Sequence, residues 1–187
     1  MSDSAMLGKS GYERISHDFY ATPDWCTKVL LNHVDFSPTV WEPACGDGAI
    51  SRVLEAYGHQ VINTDIVDRG IGATVIDFLS HDWSKSFPMH DNSADIVTNP
   101  PYGTLADDFV RGALKLTGRR VAMLMRNEWD CAASRMPLVN HPAFAMKIVL
   151  TTRPRWIEGT TTSPRHNYAW YVWDLKNTGG PVIRYDQ

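Results

Sequence analysis

Apolar residues recur along the chain at two spacings that alternate with each other. One set repeats at i, i+3, i+4 and i+7, which predicts an amphipathic helix: Ile50, Val53, Leu54 and Tyr57. Gly58 follows the last of these residues and is suited to end that helix. Short apolar runs bounded by polar or turn-forming residues occur between the helical patterns and predict strands. The alternation favours an α/β fold with a mostly parallel sheet.

Seven strands and three longer helices are predicted in this way. The strands are expected at residues 39–41, 61–65, 73–76, 95–98, 121–125, 147–151 and 168–173. One further helix is expected to run to about Val34, with Thr22 as its N-cap, Pro23 at its first position and Asp24 in its first turn. Another should begin near Thr104. A helix is also expected over residues 131–139, although Pro137 weakens that interpretation.

The length of 187 residues favours a single domain, which we expect over residues 18–187 after a polar lead-in at residues 1–17. No apolar run approaches the roughly 20 residues needed to cross a bilayer, so we expect a cytoplasmic protein without a membrane partner. The three cysteines are widely spaced, and no His or Cys pair has metal-ligand spacing. We therefore expect neither a disulfide framework nor a metal site.

The charged residues are distributed unevenly although the formal net charge is only −3. Residues 1–98 contain 6 Lys and Arg against 14 Asp and Glu, whereas residues 99–187 contain 12 against 7. An acidic half followed by a basic half favours a polyanionic partner on one face, but it also fits a surface without function.

The segment WEPACGDGA, residues 41–49, passes from a predicted strand through two glycines into the predicted helix. Three successive strands then end in an acid: Glu42, Asp65 and Asp77. The spacing from Gly46 to Asp65 is close to the ~20 residues after which an acid accepts hydrogen bonds from ribose hydroxyls in Rossmann-type sites. Carboxylates that face both ends of a ligand disfavour a phosphate. They suit a ligand with an ammonium, a ribose diol and an adenine. Phe78 could pack on the adenine ring.

A second motif, NPPY, ends the predicted strand at residues 95–98. Two prolines fix two φ angles and hold Asn99 in an extended conformation. The result is a stiff corner that presents one carboxamide and the ring of Tyr102. It could clamp a flat group that carries an amine, or it could simply end the strand.

These motifs together resemble the S-adenosylmethionine-dependent N6-adenine DNA methyltransferases. WEPACGDGA resembles their motif I, NPPY their motif IV, and FYATP at residues 19–23 the motif X that precedes motif I in the gamma-type order. HNYAWYVWD at residues 166–174 is a looser match to a late motif. The resemblance implies a class I methyltransferase fold with a seven-stranded sheet and S-adenosyl-L-methionine as cofactor. It implies cofactor contacts from Tyr20, Thr22, Pro23, Glu42, Ala44, Gly46, Asp65, Ile66, Asp77, Phe78 and Asn99.

The same resemblance implies catalysis by Asn99, Pro100 and Tyr102. The Asn99 side-chain oxygen and the Pro100 carbonyl can accept hydrogen bonds from an exocyclic amine as its nitrogen becomes tetrahedral. The target base must leave the duplex, and Tyr102 offers a face for stacking. Pro101 is expected to border the nucleic acid.

A long segment, residues 152–167, interleaves basic and aromatic residues, a pattern that suits nucleic-acid backbones and splayed bases. We expect nucleic-acid contacts from Arg153, Arg155, Trp156, Arg165 and His166. The partner is then DNA, or RNA as an alternative.

Other functions remain open because NPPY is shared by enzymes that methylate RNA or a protein glutamine. The 18 residues before Phe19 leave no room for the helical domain usual in protein-glutamine enzymes, and N4-cytosine enzymes generally have Ser at the Asn99 position. A non-catalytic nucleic-acid-binding subunit is a further alternative. The 85 residues after Tyr102 are few for a target-recognition region, so a specificity subunit or a homodimer is conceivable.

Overall fold

The computed structural model describes residues 20–83, 94–156 and 163–186. The predicted lead-in at residues 1–17 lies outside the described residues. Within them the chain forms eight strands: β1 Thr39–Glu42, β2 Gln60–Asp65, β3 Thr74–Val75, β4 Asp95–Thr98, β5 Arg120–Arg126, β6 Phe144–Val149, β7 Tyr168–Asp174 and β8 Val182–Tyr185. The α-helices in the same residues are α1 Asp24–Leu31, α2 Ala49–Ala56, α3 Thr104–Leu116 and α4 Met136–Val139.

The eight strands form one sheet in the order β3-β2-β1-β4-β5-β7-β6-β8. The pairs from β3 to β5 are all parallel, and β8 is parallel to β6. Only β7 runs in the opposite direction, paired with β5 on one side and β6 on the other. The predicted α/β fold with a mostly parallel sheet is confirmed. The carboxyl ends of β1 to β5 share one edge, where ligands bind in open α/β sheets.

The sequence prediction of seven strands is wrong by one strand. β8 was not predicted, because its four residues are all exposed and give no alternation of buried and exposed positions. The helix predicted over residues 131–139 is also wrong in form. Two short 3-10 turns, Trp129–Cys131 and Ala133–Arg135, lead into the single turn of α4. Pro137 lies in the first turn of α4, where its missing N–H costs no helical hydrogen bond.

The core consists of two apolar layers, one on each face of the sheet. Cys26 and Leu30 of α1 pack with Ile50 and Leu54 of α2 on one face. Phe109 and its neighbours on α3 cover the other face. Successive strand residues point to opposite faces, so Val40 joins the first layer and Trp41 the second. Full burial of such side chains stabilises the fold by roughly 1.5–3 kcal/mol each.

None of the helices in the described ranges is both long enough and apolar enough to cross a bilayer.

Candidate active site at the carboxyl edge of the sheet

A cavity of about 550 Å³ opens at the carboxyl ends of β1, β2 and β4. Its lining includes the three strand-end acids Glu42, Asp65 and Asp77, and also Asn99 of the NPPY corner. This volume lies within the roughly 300–1,000 Å³ typical of small-molecule sites. The acids and the amide that the sequence singled out therefore border one space.

The turn between β1 and α2 forms one wall of this cavity and depends on its glycines. Gly46 has φ 57° and Gly48 has φ 79°, which is left-handed backbone that favours glycine. A Cβ atom at Gly48 would lie 3.1 Å from the Ile71 side chain. The Gly46 N–H donates to Asp65 Oδ2 at 2.8 Å. That bond joins the turn to the end of β2 and fixes the shape of the wall.

Glu42 ends β1 and is almost completely buried. The Ser51 hydroxyl of α2 donates to its Oε2. Burial raises the pKa of Glu42 well above its ordinary value, and the hydrogen bond from Ser51 opposes that shift only in part. A carboxyl group held in this way would gain from a positively charged ligand group in the cavity.

Asp65 ends β2 and already has several partners. Besides the Gly46 N–H, it accepts from the Val67 N–H at 3.0 Å. Arg69 forms an ion pair with its Oδ1 at 3.5 Å and also donates to the Val67 carbonyl. Arg69 was not predicted as a site residue. It lines the cavity beside Asp65, the residue predicted to bind the ribose hydroxyls.

Asp77 follows β3 and is exposed, with its carboxylate accepting from the Leu79 N–H at 3.0 Å. This bond is the main reason why its pKa is lowered, so the group stays ionised at neutral pH. Phe78 is buried and stacks on Phe109, with ring centroids 4.6 Å apart. Ile66 is half exposed and also lines the cavity. A planar ring between these groups would meet apolar surface and a carboxylate.

Asn99 lies where β4 ends, at the inner side of the cavity. Its Nδ2 donates to Thr22 Oγ1 at 3.2 Å. Its Oδ1 is shielded from solvent and has no hydrogen-bond partner among the residues that the structure describes. A buried acceptor left unpaired costs about 1–3 kcal/mol, so a ligand N–H that donates to this oxygen would remove that cost.

Thr22 was predicted to be the N-cap of α1, and that prediction is wrong. The helix starts at Asp24, Pro23 precedes it, and no side chain caps its first turn. The Pro23 carbonyl accepts instead from the Cys26 N–H at 2.9 Å. Thr22 is buried and its hydroxyl faces Asn99, so this residue orients the carboxamide.

Four aromatic rings form a cluster next to Asn99: Tyr20, Tyr102, Trp156 and Tyr168. Trp156 meets Tyr168 edge to face at 4.7 Å, and Tyr102 lies 5.9 Å from Tyr20. The Tyr168 hydroxyl donates to the Tyr102 hydroxyl at 3.3 Å. Burial raises the pKa of Tyr102, which keeps that hydroxyl neutral. Together the rings offer a flat ligand several apolar faces.

The predicted basic residues lie at the flanks of the 152–167 segment, where Arg153, Arg155, Arg165 and His166 are exposed. Arg153 donates to Asn167 Oδ1 at 2.7 Å and to the Pro164 carbonyl at 3.2 Å, which joins the two flanks. The middle of this segment, residues 157–162, lies outside the described residues.

Most predicted site residues therefore border one cavity, and some lie just beside it. Those in its lining are Tyr20, Thr22, Glu42, Ala44, Gly46, Asp65, Ile66, Asp77, Phe78, Asn99 and Pro101. Pro23, Pro100 and Tyr102 do not line it but belong to the same segments. The sequence reading missed Leu105 and Phe109, which line it from α3, and also Tyr168. Only the amphipathic pattern of α3 and the aromatic-rich sequence of β7 marked these positions, and both also fit an ordinary core.

Among the described ranges, no group of His, Cys, Asp and Glu is placed to hold a metal ion.

No protein-family model matches the chain, and no curated protein sequence matches it either. Solved structures do resemble it. A protein from Pyrococcus horikoshii assigned as an RNA methyltransferase has a TM-score of 0.61 at 14% identity, with 90% of this chain and 92% of that chain covered. A protein from Listeria monocytogenes assigned as a class I S-adenosylmethionine-dependent methyltransferase has a TM-score of 0.58 at 9% identity, covering 94% and 67%.

A 23S rRNA methyltransferase is similar as well, with a TM-score of 0.57 at 18% identity over 87% of this chain and 71% of that chain. At these identities the likeness concerns the arrangement of strands and helices. The chain has the Rossmann-like fold of class I methyltransferases.

Proposed function

We propose that the protein is an S-adenosylmethionine-dependent methyltransferase that methylates the exocyclic N6 amine of adenine in DNA. The observation that carries this proposal is the Asn99 side-chain oxygen, buried and without a hydrogen-bond partner in the described residues. Asn99 lines the acid-lined cavity and contacts Tyr102 of the aromatic cluster. An acceptor between a nucleotide-like site and a base-sized apolar surface fits an amine as the methyl acceptor.

The cavity residues fit S-adenosylmethionine in their chemistry as well as in the volume they enclose. Asp65 suits the ribose hydroxyls, the buried Glu42 suits the ammonium, and Asp77 with Ile66 suits the adenine. Binding at Asp65 would require Arg69 to give up or share the Oδ1 atom with which it is paired. When bound, the cofactor supplies an electrophilic methyl group on a sulfonium.

Asn99 and Pro100 would act on the substrate amine without ionising it. The lone pair of an exocyclic amine is delocalised into the base, so the nitrogen is a poor nucleophile. Two acceptors aimed at its N–H bonds favour a tetrahedral nitrogen and stabilise positive charge as it develops there. Thr22 fixes the Asn99 amide from the other side, and the two prolines fix its backbone.

The aromatic cluster supports a flipped base as the substrate. Tyr102 and Trp156 are partly exposed, and base–aromatic stacking contributes roughly 1–3 kcal/mol per base. A duplex would have to release the base, since its amine is inaccessible inside the stack. Arg153, Arg155 and Arg165 lie near this cluster and suit the phosphate backbone.

RNA is the second candidate substrate. The observation that favours it is the structural likeness to two proteins assigned to RNA methylation. The amine chemistry at Asn99 would be the same for an adenine in either polymer.

Transfer of labelled methyl from S-adenosylmethionine to duplex DNA, single-stranded DNA, RNA and a protein extract separates these candidates. We expect label in DNA that digests to N6-methyldeoxyadenosine. Label in RNA alone would keep the chemistry and replace the substrate. The absence of label in all four, with cofactor still bound, would contradict the proposed function.

A further inference from the structure

Nine arginines in the described residues fall into two groups by their partners. Six lie within 4 Å of a carboxylate: Arg52, Arg69, Arg111, Arg119, Arg120 and Arg135. Arg126, Arg153 and Arg165 have no such carboxylate in the part of the chain that the structure describes, and all three are exposed. These three charges are therefore not compensated by a carboxylate in the described residues, a property that Arg184 on the edge strand β8 shares.

All three arginines interact electrostatically with His166. Arg126 ends β5 and is opposite Tyr168 in the β5–β7 ladder, and Arg165 adjoins His166 in sequence. Arg153 is bonded to both sides of that residue, at the Pro164 carbonyl and at Asn167 Oδ1. Burial and the charges of the three arginines lower the pKa of His166, and the carboxylate of Glu128 opposes that shift.

This cluster adjoins the proposed base site. β5 is the neighbour of β4, the strand whose end carries Asn99. Arg126 interacts electrostatically with the Tyr168 hydroxyl. That hydroxyl donates a hydrogen bond to the Tyr102 hydroxyl at 3.3 Å. Trp156 packs on Tyr168 at 4.7 Å. The Tyr102–Tyr168 pair thus links the positive cluster to Asn99 through contacting side chains.

We propose that Arg126, Arg153 and Arg165 form an anion site that holds one backbone phosphate beside the methylated base, with His166 as a fourth, protonatable contact. This inference rests on the proposed function and adds to it the residue Arg126, which the sequence reading had not singled out. Arg126 is fixed at the end of a central strand, whereas Arg153 and Arg165 lie on irregular backbone.

A phosphate is the anion that suits this geometry. Guanidinium groups present a planar fork of donors that matches phosphate oxygens, and several can share one phosphate. The three guanidinium groups repel one another because none of them is paired with a carboxylate in the described residues. An anion that contacts two or more of them would relieve that repulsion. A phosphate bound here would fix the position of its nucleotide so that the base reaches the aromatic cluster.

The site also predicts a pH dependence of binding. Burial and the three arginines lower the pKa of His166 in the free protein. A bound phosphate would favour the protonated imidazole and raise that pKa, so binding takes up a proton. Affinity should therefore increase as the pH falls through the His166 pKa of the complex, and the increase should cease below the pKa of the free protein.

The test compares Arg126→Gln with Arg184→Gln, since Arg184 is also exposed and has no carboxylate partner in the described residues but lies on the edge strand β8. Fluorescence anisotropy with labelled single-stranded and duplex oligonucleotides would give affinities across a salt series. We expect Arg126→Gln to weaken binding about tenfold and to reduce the salt slope by roughly 0.7–0.9. Arg184→Gln should change neither quantity.

A series of oligonucleotides, each with one neutral methylphosphonate, locates the contact. One position should weaken binding to the wild type about tenfold and should weaken binding to Arg126→Gln clearly less, because only Arg153, Arg165 and His166 then remain to contact that phosphate. His166→Gln should remove the pH dependence. Equal affinities for both arginine variants, or methylphosphonate effects that add to Arg126→Gln at every position, would overturn the anion site. Methyl transfer by the same wild-type protein tests the proposed function separately, because it can persist when the anion site is refuted.

Discussion

At the scale of single residues, Glu42 shows how the site departs from a fold optimised for stability alone. Its carboxyl group is buried at the end of β1 and held by the Ser51 hydroxyl. Burial raises its pKa well above the ordinary value. A buried ionisable group of this kind costs stability, and such groups concentrate at functional sites.

Replacing Glu42 by Gln should change how stability depends on pH. Because the folded-state pKa is raised, the folded protein holds the proton more tightly than the unfolded chain does. The favourable contribution is complete below the unfolded pKa of about 4.3 and is lost as the pH rises through the folded pKa. Unfolding free energies of both proteins from pH 4 to pH 8 would test this, and we expect the variant to gain stability relative to wild type as the pH rises. Parallel curves would contradict the assignment.

The sequence predicted that the acids and the amide follow neighbouring strands, and the structure brings them to one cavity, but their partners could not be predicted. Strand-end position and spacing sufficed for Glu42, Asp65, Asp77 and Asn99, which all line the cavity. A Thr-Pro-Asp sequence predicts Thr22 to be a helix cap, yet its hydroxyl contacts Asn99, which lies 77 residues away along the chain. Arg69 and Tyr168 belong to contacts that no local pattern encodes.

At the scale of elements, β4 is fixed at its start by Asp95 and ends at the NPPY corner. Asp95 is fully buried and accepts from the Arg120 N–H at 2.8 Å and from the Ser37 N–H. Arg119 adds an ion pair at 3.4 Å. These bonds tie β4 to β5 and to the segment before β1, so they help to position Asn99 from the opposite end of the strand.

Asp95→Ala should therefore lower the unfolding free energy by about 3–5 kcal/mol, because it leaves two backbone donors and a partly buried Arg119 without their acceptor. Asp108→Ala is the matched control, since Asp108 pairs with Arg111 on the exposed face of α3. We expect the control to change stability by no more than about 0.5 kcal/mol. Urea denaturation gives both values, and equal effects would show that Asp95 does not carry this role.

The elements that the sequence failed to predict lack a strong internal pattern. β8 has four exposed residues and gains its regular structure only from pairing with β6. The segment at 129–135 is held by Asp107, which accepts from Trp129 Nε1 at 2.8 Å and from Arg135 Nε at 2.9 Å. These tertiary contacts override the local preference for one continuous helix. The strongly periodic helix α2 and the apolar strands could be predicted because burial alone determines them.

At the scale of the whole molecule, the parallel part of the sheet brings the acid-lined cavity and the NPPY corner to one edge. The basic second half of the sequence contributes the arginines beside the aromatic cluster at the same edge. The uneven charge distribution thus places acids around the proposed cofactor site and cations around the proposed nucleic-acid site.

Ligand binding at this edge should stabilise the molecule as a whole. S-adenosylmethionine at about 100 times its Kd would add about 2.7 kcal/mol, which corresponds to a rise in Tm of roughly 5–10 °C for a chain of this size. Thermal unfolding with and without the cofactor measures the shift, and Asp65→Ala should greatly reduce it. An unchanged Tm in the wild type at saturating cofactor would contradict the assignment of the cavity.

The proposed function depends most on Asn99 as the acceptor for the substrate amine. The most direct test is the amount of N6-methyladenine formed in DNA by the wild type and by Asn99→Ala, with S-adenosylmethionine affinity measured on the same samples. We predict that Asn99→Ala still binds the cofactor but loses methylation by about 10²-fold or more, as is typical when one transition-state hydrogen-bonding group is removed. Methylation of adenine that proceeds at the wild-type rate in Asn99→Ala would contradict the account.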